Sequence, residues 1–392
     1  MVILGIIDTI LFIVVGISVL YLFVYAFYSL KGWKTKYPHS EVLRRFAILI
    51  PAYKEDGIIE KTIRSLLLQD YPRDLYHIVV ISDQMSEEVN NRLRMLPITL
   101  LTPVFAKSSK ANSLNFAMDY LVDESKNKSL KYDIVTILDS DNIVESDYLT
   151  DISDAFNQEI KAVQAHRVAK NRDTQTAILD AVSEEINNSI FRKGHVNMGV
   201  SSALIGSGMA FDFNWFVQNS KNATTAGEDK ELEVMLLKQG IYIDYLNDTL
   251  VYDEKVSQSA VFYNQRRRWL AAQFGVLGSS IKELPEAIRT GNLDYCDKLF
   301  LWMLLPRIVL VMLLCLMSIA PVFIDWTWAI KWWVLLLVLL FALAFAIPDY
   351  LVDKQFKKSI SHIPLLGFMM ILNLFRLRGV NKNFIHTQKS VS

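Results

Sequence analysis

Cysteine is nearly absent: Cys296 and Cys315 are the two in 392 residues, which excludes a disulfide framework and a cysteine-rich structural zinc site. Cys315 lies inside an apolar run, and the pair fits a reducing compartment. An excess of charge of either sign is missing too. Lysine plus arginine and aspartate plus glutamate stand at 41 each, so nothing in the balance points to nucleic acid or to a strongly acidic partner. Internal repeats, low-complexity tracts and a recognisable linker are also lacking. What is plentiful is apolar side chain, 52% of the chain, too much for an ordinary soluble protein, beside 21% charged residues, too many for membrane spans alone. This composition predicts a soluble domain joined to membrane segments.

Residues 10–30 carry no charge and are followed by Lys31, Trp33, Lys34 and Lys36. That length matches the roughly 20 residues a helix needs to cross hydrocarbon. A cleavable signal places its basic residues before a shorter core, so a retained span is predicted, with the N-terminus outside and residues from Lys31 onward cytoplasmic. Residues 299–324 and 332–347, linked through Asp325 and Lys331, predict a hairpin of two spans. Lys298 and Arg307 mark one cytoplasmic end, and Lys354, Lys357 and Lys358 the other. The stretch Ile363–Phe375 is short, has Pro364 at its second position and is followed by Arg376, Arg378 and Lys382. It predicts an interfacial helix on the cytoplasmic leaflet rather than a fourth crossing, which leaves Ser392 cytoplasmic.

Between these flanks, short apolar runs alternate with amphipathic stretches, the pattern of an α/β domain with a mostly parallel sheet. Strands are expected at 46–53, 77–83, 98–103 and 133–139, and helices at 58–69 and 111–122. The division is a membrane helix and basic linker over 1–43, a cytoplasmic domain over 44–290 and the remaining membrane segments over 291–392. Ligands of such sheets bind beyond the carboxyl ends of strands, where Tyr53, Glu55, Asp83, Asp139 and Asp141 collect.

Three motifs carry chemistry. Asp139-Ser140-Asp141-Asn142 follows an apolar strand, so two carboxylates can turn toward a hard divalent ion and diphosphate oxygens. Taken alone, it also reads as a polar turn with a helix cap. Gly227-Glu228-Asp229 opens a short helix, where acidic residues cap and complement the dipole or supply an ionised general base. Gln265-Arg266-Arg267-Arg268-Trp269 reads as a basic interfacial segment with an aromatic anchor. It equally offers guanidinium groups for a diphosphate and an indole for a sugar ring.

Taken in order, Pro51-Ala52-Tyr53-Lys54-Glu55, Asp83, Lys110 with Asn115, Asp139-Ser140-Asp141-Asn142, Gly206-Ser207-Gly208-Met209, Gly227-Glu228-Asp229 and Gln265 to Trp269 resemble the family 2 glycosyltransferases of GT-A fold. The membrane-integrated branch, with cellulose, chitin, hyaluronan and poly-N-acetylglucosamine synthases, is the most similar, over about residues 46–274. The resemblance implies that Tyr53, Glu55 and Asp83 hold the nucleoside, that Lys110 and Asp139 contact the donor, and that Asp141 binds Mg or Mn. It implies Asp229 as catalytic base, Arg268 at the diphosphate, and Ser207, Gly208, Gln265 and Trp269 at the acceptor. Lys54, where the family usually has asparagine, and the sequence around Asp83 depart from the pattern at the nucleoside.

The expected reaction is a single displacement at the anomeric carbon with inversion. The donor would be a nucleotide-diphosphate sugar, with UDP as the expected nucleotide. The expected product is a growing β-linked polysaccharide, made by an integral protein of the cell membrane with its catalytic domain in the cytoplasm. Transfer of one sugar to a lipid acceptor, or a non-catalytic sugar-nucleotide sensor, are the competing readings. Three spans are few for a polymer channel, which leaves room for a homo-oligomer or a partner subunit; membrane lipids are expected contacts and nucleic acid is not. A transporter is disfavoured by spans lacking deep ionisable residues apart from the flanking Arg307.

Overall fold

A computed structural model describes residues 2–32, 36–225 and 227–377. The positions Trp33, Lys34, Arg378, Lys382 and Ser392, used above for orientation, lie outside the described residues.

Among the described residues, the α/β part of the chain is built on one sheet of eight strands, β1 Phe46–Tyr53, β2 Tyr76–Asp83, β3 Thr99–Leu101, β4 Ile134–Ile137, β5 Ile143–Val144, β6 Ala162–Ala169, β7 Met209–Asp212 and β8 Asp244–Asp253. Their spatial order is β3-β2-β1-β4-β7-β6-β8-β5. The first half is the parallel sheet expected, because helices such as Ile59–Leu67 and Lys110–Lys128 cross over between its strands. Beyond β4 the sheet turns mixed, with β4–β7, β7–β6 and β8–β5 antiparallel and β6–β8 parallel. Strands buried on both faces read as continuous apolar runs, and in β1 the five residues from Phe46 to Ile50 are all fully buried. Pro51 is tolerated because β4 pairs only as far as Leu49, so its missing N–H interrupts no ladder on that side.

Two apolar layers flank the sheet: one includes Leu114, Phe211 and Leu236, the other Ile50, Ile63 and Tyr148. The first layer also takes in Tyr295, Leu299 and Trp302, so the start of the expected second span packs beside the sheet. Residues 299–324 are not one helix. Leu293–Met303 packs on the core layer beside the sheet, and the chain then bends by 60° into the apolar segment Arg307–Phe323. The break falls at Leu304-Leu305-Pro306, where proline disfavours helix in the residue before it. Lys298 is correspondingly no interfacial anchor: it is buried and paired with Glu233 at 2.8 Å.

Among the described residues, three helices are long and apolar enough to cross a membrane, Val2–Ser29, Trp326–Ala346 and Lys354–Phe375, or four if the bent pair counts as one span. The last contains the segment expected to lie at the interface; joined to Lys354–Ser359 through a short 3₁₀ turn, it gains the length to cross. Val2–Ser29 and Trp326–Ala346 are locked together by the Trp332 indole, which donates to Asp8 at 2.9 Å, and by the Asp8–Lys331 ion pair. Val2–Ser29 is joined to the rest of the fold by Tyr21 and Tyr25, which both donate to Asp297 of Leu293–Met303, and by stacking of Tyr25 on the buried His195.

Candidate active site

The carboxyl ends of the parallel strands carry the first half of the site. Tyr53 pairs in register with Asp83, and Asp139 follows β4 in a turn held by Asn142, whose side-chain oxygen accepts the Asp139 N–H at 2.9 Å. The same Asn142 amide donates to Asp253 at 3.1 Å, because β5 pairs Ile143 with Tyr252 and so brings the end of β8 beside this turn. Oxygens of Asp139, Asp141 and Asp253 all lie within 4.8 Å of one another, with Asp141 and Asp253 buried. An all-carboxylate set fits a hard divalent cation, which when bound would neutralise diphosphate oxygens. Positive charge is already arranged around these carboxylates: Lys255 lies 2.9 Å and Arg167 3.7 Å from Asp253. Both cations also approach the buried Glu184. Burial alone would raise the Glu184 carboxyl, but Arg167 and Lys255 overturn this and hold it at about 2.

Lys110 is the hub on the other side. Ser109 caps its helix by accepting the Asn112 N–H. The ammonium then donates to Asp139 and to the Gly206 carbonyl, both at 2.6 Å, and stands 3.8 Å from Glu228. Burial lowers an ammonium's pKa, but Asp139 and Glu228 outweigh it and Lys110 stays raised and charged. Gly206, at φ +84°, lies where an added Cβ would come 3.8 Å from both Asp229 and Lys110. Gly227 is demanded by close approach: a Cβ there would lie 2.7 Å from the Ala272 Cβ. Without a side chain, the start of Glu228–Lys238 can seat Glu228 and Asp229 against the arginine-bearing helix Ser259–Ser280. Burial is the main force pushing the Glu228 carboxyl up to about 7; Asp229 adds to it and Lys110 opposes it.

On Ser259–Ser280, burial lowers the pKa of Arg268, and Glu228, Asp139 and Asp229 oppose this only in part. Arg266 forms an ion pair with Asp180 and lies over the rings of Trp269, at 4.2 Å, and Phe262, at 4.9 Å. Gln265 Oε1 is buried without a hydrogen-bond partner. One cavity of about 660 Å³ joins Tyr53, Glu55, Asp83, Lys110, Asp139, Asp229, Gln265, Arg268 and Trp269. It continues between the apolar helices, where Leu304, Ile308, Leu340, Leu343, Leu366 and Met370 line it.

Thus nine of the expected site residues share one wall, and Asp141 sits just behind it, fully buried. Ser207 and Gly208 do not line the cavity. Ser207 is fully buried with its hydroxyl toward Arg167 and its carbonyl accepting from Gln164, while the Gly208 carbonyl accepts from Ala165. Their neighbour Gly206 forms the surface instead. Sequence reasoning missed Asp253, Arg167, Glu184 and Lys255. For Asp253 a signal existed: Leu250-Val251-Tyr252-Asp253 is an apolar strand ending in aspartate, as β4 leads to Asp139.

A mixed sheet of this strand order, with carboxylates gathered at its strand ends, has the GT-A fold of glycosyltransferases. Residues 44–272 match the family described as "Glycosyltransferase like family 2", and the chain belongs to that family. Beta-monoglucosyldiacylglycerol synthase of Trichormus variabilis is 24% identical over 237 residues, 57% of this chain and 47% of the relative. A probable glycosyltransferase, YdaM, of Bacillus subtilis is 20% identical over 238 residues, 58% of this chain and 54% of the relative. The chain therefore spans about half the length of the curated relatives it matches. Among solved structures, the mannosyltransferase PcManGT from Pyrobaculum calidifontis, in complex with GDP-Man and Mn2+, has the same fold. Its TM-score is 0.51 at 16% identity, covering 86% of this chain and 97% of that one.

Proposed function

We propose that this glycosyltransferase moves a single sugar, with inversion, from a nucleotide-diphosphate donor to the hydroxyl of a membrane lipid. The observation that carries this reading is the cavity itself, which runs without interruption from Asp139 and Asp229 to Leu340, Leu343 and Met370. A lining of leucine, isoleucine and methionine solvates acyl or prenyl chains, whereas a polysaccharide needs polar and aromatic partners along its path. The apolar lining therefore favours the lipid acceptor over the polysaccharide expected from the sequence. The diacylglycerol in the name of the Trichormus relative supports the same choice.

In this reading Tyr53, Glu55 and Asp83 hold the nucleoside, with UDP as the expected nucleotide. Lys110, Asp139 and Arg268 meet the diphosphate, and Asp141 with Asp253 and Asp139 holds Mg or Mn. Asp229 takes the proton from the acceptor hydroxyl on the face opposite the leaving group, so an α-linked donor gives a β-linked product. Gln265 and Trp269 border the acceptor head. The protein is an integral membrane protein with its catalytic domain in the cytoplasm, and lipid reaches the site from the adjacent leaflet.

Filling the apolar end tests this without touching the donor site. Leu343→Trp is expected to cut transfer at least about tenfold while nucleotide binding, measured by titration calorimetry, is kept. Transfer at the wild-type rate, in a variant shown to be folded, would remove the apolar cavity from the acceptor path.

A further inference from the structure

The polar and apolar parts of the cavity meet at Arg307, the first residue of the helix Arg307–Ile319. Its Nη2 donates to the Ser183 carbonyl at 3.0 Å and approaches the Ser183 hydroxyl at 3.3 Å, and the guanidinium lies 5.5 Å from the Phe191 ring. Its Nη1 is buried with no hydrogen-bond partner. Arg307 forms no ion pair among the described residues. The charged groups that act on it are Arg266, Arg192 and Glu184. Two of these are cations. The acidic one, Glu184, is already engaged by Arg167 and Lys255, and Asp180, the nearby carboxylate, is taken by Arg266. Arg266 also leaves its Nε buried and unpartnered.

A guanidinium whose Nη1 is buried without a partner, and which has no acidic partner, carries a cost that is relieved by an anion accepting from that unused N–H group. The planar fork of arginine matches the tetrahedral oxygens of a phosphate. The N-terminus of Arg307–Ile319 adds favourable backbone charge at the same place. Between the donor end of the cavity and its apolar end, such an anion has one natural carrier, the head group of the lipid whose chains occupy the apolar end.

We infer that the acceptor lipid is anionic, and that a phosphate in its head group seats on Arg307, with Arg266 beside it, while its hydroxyl faces Asp229. This rests on the lipid-acceptor reading above and narrows it: an uncharged acylglycerol would leave Arg307 without a partner.

The full-length protein, purified in an uncharged maltoside detergent, is tested with four probes. Farnesyl phosphate is a phosphate monoester and dioleoylphosphatidylglycerol a diester; farnesol and dioleoylglycerol are their neutral counterparts. Wild-type protein is expected to bind a phosphate probe at least about tenfold tighter than its neutral counterpart, with a matching rise in melting temperature. A preference confined to the monoester assigns a terminal phosphate on a lipid that also carries the reacting hydroxyl, and one shared by the diester assigns a glycerophospholipid. Arg307→Gln is expected to lose that preference, with Arg307→Lys retaining part of it. Because Arg307 has no carboxylate to lose, the melting temperature of the lipid-free Gln variant is expected to equal or exceed that of wild type. Equal affinity of wild type for phosphate and neutral probes, or an unchanged preference in folded Arg307→Gln, would overturn the inference. So would a lower lipid-free melting temperature with the preference kept, which marks a purely structural arginine. Nucleotide release stimulated equally by dioleoylglycerol would overturn the phosphate but leave the lipid acceptor standing, whereas release indifferent to every lipid supplied would overturn the lipid reading itself.

Discussion

Glu228 offers a quantitative test of the electrostatics at the centre of the site. It begins the helix Glu228–Lys238, is buried, and has its carboxyl pushed to about 7 from an ordinary 4.5, chiefly by burial. A carboxyl raised in the folded state favours folding while protonated. That contribution is complete below pH 4.5 and is lost as pH rises through about 7, because the unfolded chain has by then released the proton that the folded chain still holds. At about 1.4 kcal/mol per pH unit, the loss across this window is roughly 3 kcal/mol. Glu228→Gln removes the titrating group and should flatten this part of the pH profile. The variant should match wild type near pH 4.5 and exceed it at pH 8 by up to roughly 3 kcal/mol, less whatever the 3.8 Å approach to Lys110 contributes. The assay is denaturant or thermal unfolding of both proteins in detergent from pH 4.5 to 8, without nucleotide or divalent ion. Parallel wild-type and variant profiles would refute the reasoning.

Asp229→Asn should lower transfer by about 10²–10⁴-fold with donor binding nearly intact, as measured by nucleotide release and calorimetry; substantial remaining activity would make Asp229 a helix cap. Glu228→Gln should retain more activity than Asp229→Asn at the same pH. Asp253→Asn, like Asp141→Asn, should weaken donor binding and the response to Mn or Mg together by at least about tenfold, and an unchanged metal titration would move the ion elsewhere. Lys54→Asn should stabilise by up to about 1 kcal/mol, because Lys54 holds φ at +55°, a conformation asparagine adopts more readily; a loss of stability in unfolding experiments would show that its place over the Tyr53 ring matters more.

Much of the first half of the domain was legible because each signal was local. The expected strand at 46–53 matches the observed one residue for residue, and the helix expected at 111–122 runs from Lys110 to Lys128. Carboxylates at strand ends were legible for the same reason. What local pattern could not reveal was the company those residues keep: Asp253 reaches Asp139 only through the β5–β8 pairing, and Arg167 and Glu184 meet across a packed interface. The mixed half of the sheet escaped because antiparallel pairing between β4 and β7 depends on a long return of the chain. Apolar content at residues 299–303 also has a second cause, because Leu299 and Trp302 pack into the core layer beside the sheet. The departure at Lys54 lay in backbone conformation, visible in sequence only as a residue that the left-handed region disfavours.

The identity of the molecule that receives the sugar decides between a lipid and a polysaccharide product. Purified protein in maltoside micelles is incubated with a panel of radiolabelled nucleotide sugars, manganese or magnesium, and a lipid extract; the products are then partitioned between organic and aqueous phases and sized. The apolar cavity beside Asp229 predicts label in the organic phase as a lipid carrying one β-linked sugar, formed only when lipid is supplied. Long water-soluble chains made beside unused lipid would contradict it and restore the polysaccharide reading.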